Sequence, residues 1–148
     1  MRKLQMIKGK GLERVLCSLP YCKELELSGY INGNQVLYEI GGRCESKAFN
    51  KEVVFHSHPE GRYAEVPSPA DVLKFAYLSK AKMSIVVCPK SFIVIEKGRF
   101  DLGKCNLYFS VLSVSWSSGK INSQWLKLWK MALKRIGMKF KMYGRESI

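Results

Sequence analysis

At 148 residues, with 47% apolar and 25% charged residues, the chain has the size and composition of one globular domain with a full hydrophobic core. It holds no apolar run long enough to span a bilayer, and no apolar stretch follows Met1-Arg2-Lys3-Leu4-Gln5, so neither a membrane span nor a signal peptide is read from it. The net charge of +13 attracts anions, whether nucleic acid, acidic proteins or anionic lipid, but charge alone supplies no recognition element.

In chain order, Lys3 to Lys8 reads as a short strand, interrupted by Gly9 and Gly11. Leu12 to Leu19 reads as a short helix stopped by Pro20. Glu24 to Ile31 and Gln35 to Ile40 alternate around Asn32-Gly33-Asn34, a hairpin signal, because Asn-Gly tolerates the positive φ of a tight turn. Glu52 to His58 is predicted as a strand with Val54, His56 and His58 on one face and Val53 and Phe55 on the other. Pro59 to Pro67 is a polar loop. Ser68 then has the character of an N-cap, with Pro69 at the first helical position and a largely apolar helix to about Ala81.

Two further strands, Met83 to Cys88 and Ser91 to Glu96, flank Pro89-Lys90, and Leu107 to Trp116 is predicted as a long strand. Ser123 to Ile136 is an amphipathic helix with Trp125, Leu128, Trp129, Ala132 and Ile136 at helical spacing and Lys127, Lys130 and Lys134 opposite. The Trp125/Trp129 stripe reads as core packing, with a membrane surface or a partner as the other use of such a helix. Residues from 138 onward read as a basic, frayed tail after a domain spanning 1–137. The order implies a single α+β domain, a curved mixed β-sheet flanked by helices.

Cys17, Cys22, Cys44, Cys88 and Cys105 are an odd, scattered set. They argue against a secreted disulfide framework and for a reducing cytoplasm, leaving open a single bridge such as Cys17–Cys22. Cys44 and Cys88 read most simply as small core residues.

The chemistry concentrates in His56-Ser57-His58-Pro59 and Ser68-Pro69-Ala70-Asp71. The chain has two histidines, His56 and His58, and on a strand both face one way. With Asp71 they supply three ligands and leave a fourth position open, the pattern of a catalytic rather than a structural zinc. Such a metal acidifies water, and hydrolysis then needs a general base and a donor for the oxyanion. Ser68, one turn before Asp71, is placed to be that donor. The bland reading of each half is a chance His-x-His and an ordinary capping pair.

Together these motifs resemble the JAMM (MPN-domain) zinc metalloproteases, whose signature is an early Glu, then His-Ser/Thr-His-Pro, then Ser-x-x-Asp. The early Glu fits the family pattern at Glu26-Leu27-Ser28-Gly29-Tyr30-Ile31-Asn32-Gly33, whereas Glu24 does not. The resemblance covers about residues 3 to 100, with only a strand-then-helix order carrying it beyond. It implies that His56, His58 and Asp71 bind zinc, that Glu26 acts as base and acid, and that Ser68 supports the tetrahedral intermediate. It implies hydrolysis of an amide or isopeptide bond after a ubiquitin-like or sulfur-carrier-like modifier. The loop from Pro59 to Pro67 is longer than the family's and the segment from Glu26 to His56 shorter, which implies reduced substrate-clamping insertions. Two other readings accompany it: a RadC-like, nucleic-acid-associated protein using its basic surface for weak, non-specific binding, and a non-catalytic MPN-type scaffold.

Overall fold

The computed structural model describes residues 2–42, 47–61, 65–117 and 123–147. Its elements are β1 (Lys3–Met6), α1 (Leu12–Cys17), β2 (Leu27–Asn32), β3 (Gln35–Ile40), β4 (Val53–Ser57), α2 (Pro69–Tyr77), β5 (Met83–Val87), β6 (Ser91–Lys97), α3 (Leu102–Ser117), α4 (Ser123–Ile136) and β7 (Met138–Gly144), with a short 3-10 turn at Arg145–Ser147. The strands form one mixed sheet in the order β1-β3-β2-β4-β5-β6-β7. β4 and β5 are parallel, joined by α2, and the other pairings are antiparallel. The α+β expectation of a mixed sheet flanked by helices is met.

Period-two alternation divides the sheet into two apolar faces. Val36, Phe55, Ile85, Val87, Phe92 and Val94 pack against Leu16 and Leu19 at α1. Tyr30, Val54, Val86, Ile93 and Ile95 pack on the opposite face, in the cluster that also holds the buried residues of α2, α3 and α4. β4 thus presents Phe55 to the α1 side and Val54 to the other, as its alternation predicts. The β2–β3 hairpin turns at Gly33, φ 62°, as the Asn-Gly signal requires. Gly29 has a packing reason: a Cβ there would run into the Leu37 carbonyl of β3.

The C-terminal third differs from expectation in two ways. Leu107 to Trp116 is not a strand but lies within α3. Asp101 starts the helix, its carboxylate accepting Lys104 N–H at 3.1 Å and its carbonyl accepting Cys105 N–H at 3.0 Å. Cys105, Phe109 and Leu112 are buried at helical spacing, while Leu107, Val111 and Val114 between them are exposed. With apolar residues on both faces, the stretch lacks the polar contrast that separates the two periods.

Nor is the tail frayed. β7 pairs along its whole length with β6, and Met138 and Phe140 join the core cluster. Gly137, φ 87°, donates its N–H to Lys134 and redirects the chain, in a place where a Cβ would strike the Arg99 carbonyl. Residues 138–144 therefore belong to the same sheet as the rest of the chain.

α2 ends at Tyr77, short of Ala81. Lys97 Nζ donates to the Leu78 carbonyl at 2.7 Å, and Asn50 Oδ1 accepts Lys80 N–H at 2.8 Å, so the backbone finds partners outside the helix. Among the described residues, no helix is long and apolar enough to cross a membrane.

Candidate metal centre

His56 lies in β4, opposite Ser28 of β2 and beside Val86 of β5. His58 follows the strand and continues its path, donating its N–H to the Val87 carbonyl at 2.8 Å. Asp71 is the third residue of α2. A capping box holds it: Ser68 Oγ accepts Asp71 N–H at 3.1 Å, and Ser68 N–H donates to Asp71 Oδ2 at 2.9 Å. Ser68 is therefore the N-cap that the sequence suggests. Its hydroxyl accepts in the cap, which leaves its one proton free to donate elsewhere.

Three atoms converge. His56 Nε2 lies 3.2 Å from His58 Nε2 and 3.4 Å from Asp71 Oδ2, and His58 Nε2 lies 3.1 Å from Asp71 Oδ2. Two ligand atoms on a tetrahedral ion at about 2.0–2.1 Å stand about 3.3–3.4 Å apart, so the triangle has the edge lengths of a coordination face. Hydrogen bonding explains the convergence less well. Each Nε2 carries at most one proton and the carboxylate none, so at most two of the three edges can be hydrogen bonds. His56, His58 and Asp71 thus form a group that could hold a metal ion.

The electrostatics are tightly linked. Burial pushes the His56 pKa down, but the charge and hydrogen bond of Asp71, then the charge of Glu26, outweigh it and leave the imidazole raised. Burial pushes Asp71 up, but His56 and then His58 overcome it and hold the carboxyl well below its ordinary value. The Lys74 charge opposes protonation of His56, and Lys74 lines a cavity of about 40 Å³ with His56, Asp71 and Phe49.

Glu26 stands one residue before β2, with its backbone bonded to Gly41 and Gly42 beyond β3. Ser28 of β2 stands opposite His56, which puts Glu26 two residues before that pair. Its charge reaches His56. Glu24 lies further out, exposed and in a bend. The structure thus brings together His56, His58, Asp71 and Ser68, with the Glu26 charge acting on His56.

No family model, curated protein or solved structure matches the chain.

Three supporting residues carried no signal in the sequence. Ser57, between the histidines, is fully buried, and its Oγ accepts Leu27 N–H at 2.9 Å. It ties the start of β2, and so Glu26, to the histidine strand. Tyr21 Oη donates to the His58 carbonyl at 3.0 Å. The Arg145 guanidinium lies 4.6 Å from the Tyr21 ring centroid and donates to the Cys88 carbonyl at 3.1 Å. Arg145 is therefore part of the scaffold beside His58 rather than a loose tail charge. Only the pairing partners on the sheet reveal these contacts.

Among the described residues no cysteine joins this group. Burial, then the Glu65 charge, pushes the Cys88 thiol up to about 12, so it stays protonated and packs in the core. Cys17 and Cys22 are free thiols rather than a bridge. Cys44 lies outside the described residues, as do residues 62–64 of the loop before Ser68. The basic residues collect elsewhere: Lys130, Lys134, Lys139 and Lys141 line a groove of about 510 Å³ between α4 and β7.

Proposed function

We propose that the chain is a zinc-dependent metallopeptidase or isopeptidase of the JAMM type, acting in the cytoplasm on an amide bond that follows a ubiquitin-like or sulfur-carrier-like modifier. The observation that carries this reading is the Nε2–Nε2–Oδ2 triangle, with edges of 3.2, 3.4 and 3.1 Å, beside a glutamate and a helix-capping serine. Two neutral imidazoles and a carboxylate suit zinc, and three protein ligands leave room for catalysis. Zinc, when bound, supplies a Lewis acid that polarises a carbonyl and acidifies water.

The chain's own residues do the rest. His56, His58 and Asp71 hold the metal. The Glu26 carboxylate accepts a proton from water and returns it to the leaving nitrogen. The Ser68 hydroxyl, its oxygen already engaged by Asp71 N–H, directs its proton at the developing oxyanion. The Ser57–Leu27 bond ties the backbone next to Glu26 to the strand that carries His56. A chain of net charge +13 favours encounter with an acidic modifier.

Elemental analysis tests the reading. The purified protein is expected to carry about one zinc per chain. A His56→Ala/His58→Ala variant is expected to lose the metal and all hydrolysis of modifier fusions while keeping its circular dichroism. Zinc retained by that variant, or no hydrolysis by the zinc-loaded wild type across the fusion panel, defeats the proposal.

A further inference from the structure

α3 and α4 each bury one face in the core, through Cys105, Phe109 and Leu112 on α3 and Trp125, Trp129 and Leu133 on α4. Their other faces stay apolar where water meets them. Leu107, Val111 and Val114 are 64%, 63% and 72% exposed, at the i, i+4, i+7 spacing of one helical stripe. Leu128 and Met131 of α4 are 52% and 50% exposed. Leu107 and Val111 of α3 and Leu128 and Met131 of α4 line an apolar groove of about 370 Å³, with Arg135 on its wall. Single exposed apolar residues are ordinary, but a contiguous set lining a concave surface marks an interaction site.

Charge identifies the occupant. From Leu102 to Ile136 the sequence contains no Asp or Glu, while Arg135 lines the groove and Lys104 and Lys127 stand one helical turn from Leu107 and Met131. We propose that this groove docks an amphipathic helix of a partner protein, with apolar residues on one face and acidic residues flanking them. Helix-in-groove recognition seats side chains spaced i, i+3, i+4 and i+7 in such a cleft, and the acidic flanks meet Arg135 and the neighbouring lysines. A second copy of the chain is disfavoured, because it would bring one acid-free basic surface against another. A bilayer is disfavoured because the apolar surface is concave and the largest side chains, Phe109, Trp125 and Trp129, are buried rather than displayed. The proposal stands apart from the metal centre.

The test uses two stapled helical peptides with the same leucine stripe, one flanked by glutamates and one by lysines, and the full chain. The acidic peptide is expected to bind at least about tenfold more tightly than its basic isomer, with binding weakened by salt. Val111→Glu/Met131→Glu is expected to weaken it at least about tenfold while the circular dichroism and zinc content stay those of the wild type. Arg135→Glu is expected to narrow or invert the preference between the two peptides. Equal binding of the isomers, or equal binding of the acidic peptide to wild type and the double variant, overturns the proposal. So does a dimer in sedimentation that the double variant abolishes, or uptake by phosphatidylglycerol vesicles that the acidic peptide does not displace.

Discussion

The β4–α2 junction and the α3–α4 groove depart from ordinary burial in opposite directions. At the first, polar atoms converge in a largely buried place: the His56, His58 and Asp71 side chains are only 15%, 13% and 19% exposed. At the second, apolar side chains diverge into water. An ordinary fold buries apolar groups and leaves polar ones wet, so each departure carries a cost, which at the junction the bonds of Asp71 to His56, His58 and Ser68 offset in part. The difference lies in what relieves the cost. The junction is rigid, built on a strand register and a capping box, and a small cation would satisfy it. The groove is open and shallow, and only a large apolar surface would fill it.

The sharpest way to break this comparison is to remove chemistry from the junction without removing its ligands. Glu26→Gln is expected to keep zinc and fold and to lower turnover about 10²–10⁴-fold, as loss of general acid–base catalysis does. Peptide binding in the groove is expected to stay unchanged. Steady-state kinetics with zinc analysis reads the outcome. If Glu26→Gln is fully active and Glu24→Gln is dead, Glu24 rather than Glu26 is the base.

Ser68→Ala sharpens the comparison, because Ser68 serves both structure and chemistry. Turnover is expected to fall about 10²–10³-fold if its hydroxyl donates to the oxyanion. Stability is expected to fall by about 1 kcal/mol, since the variant loses the acceptor for Asp71 N–H. Thermal melts and kinetics separate the two. A variant destabilised but fully active reduces Ser68 to a helix cap.

These residues were legible in the sequence because their signals are local and redundant. His-x-His on a strand, a Ser-Pro-x-Asp helix start and an Asn-Gly turn each fix backbone and side-chain direction within a few residues. The hairpin, the histidine strand and α2 follow from them, and α4 follows from its apolar residues at helical spacing. α3 failed for lack of contrast: Leu107, Val111 and Val114 are as apolar as Phe109 and Leu112, so no periodicity separates helix from strand. The Asp101 cap was the missed sign. β7 failed because lysines alternate with Met138, Phe140 and Met142, and the charges masked a strand of period two. Ser57, Tyr21 and Arg145 could not be read at all, since their partners lie 30, 37 and 57 residues away.

Acidity probes the junction alone. In the metal-free protein the raised His56 pKa contributes stability that is full below its unfolded value of about 6.5 and fades as pH rises through the folded one. The depressed Asp71 pKa contributes stability present above about 3.9 and lost as pH falls through the folded value. Zinc needs a neutral imidazole, so protons on His56 compete with it. The rise in melting temperature on adding zinc is therefore expected to grow from mildly acidic to mildly alkaline pH. Calorimetry across that range checks it, and a stabilisation that shrinks with pH contradicts the ligand assignment of His56.

The smallest expected effect comes from the far end of the chain. Tyr21 supports His58 through its backbone, not its ring, with Oη donating to the carbonyl at 3.0 Å. Burial, then the charge of Glu60, raises the Tyr21 pKa, so the phenol remains a donor through neutral pH. Arg145, stacked on the same ring and bonded to Cys88, joins the end of β7 to this support. Groups that orient a metal ligand through its imidazole are worth about 10–100-fold in affinity. A bond to the main chain leaves the ring free to adjust, and a neutral hydrogen bond is worth about 0.5–1.5 kcal/mol. Tyr21→Phe is therefore expected to weaken zinc binding by about 2- to 10-fold, with ring packing and fold preserved. Arg145→Ala is expected to fall in the same range, and Lys139→Ala/Lys141→Ala, within β7 itself, is expected to leave zinc affinity unchanged. Competition with a chromophoric chelator measures all three. Equal affinities throughout would mean that β4 and the capping box alone hold the metal ligands, and that the junction owes nothing to β7.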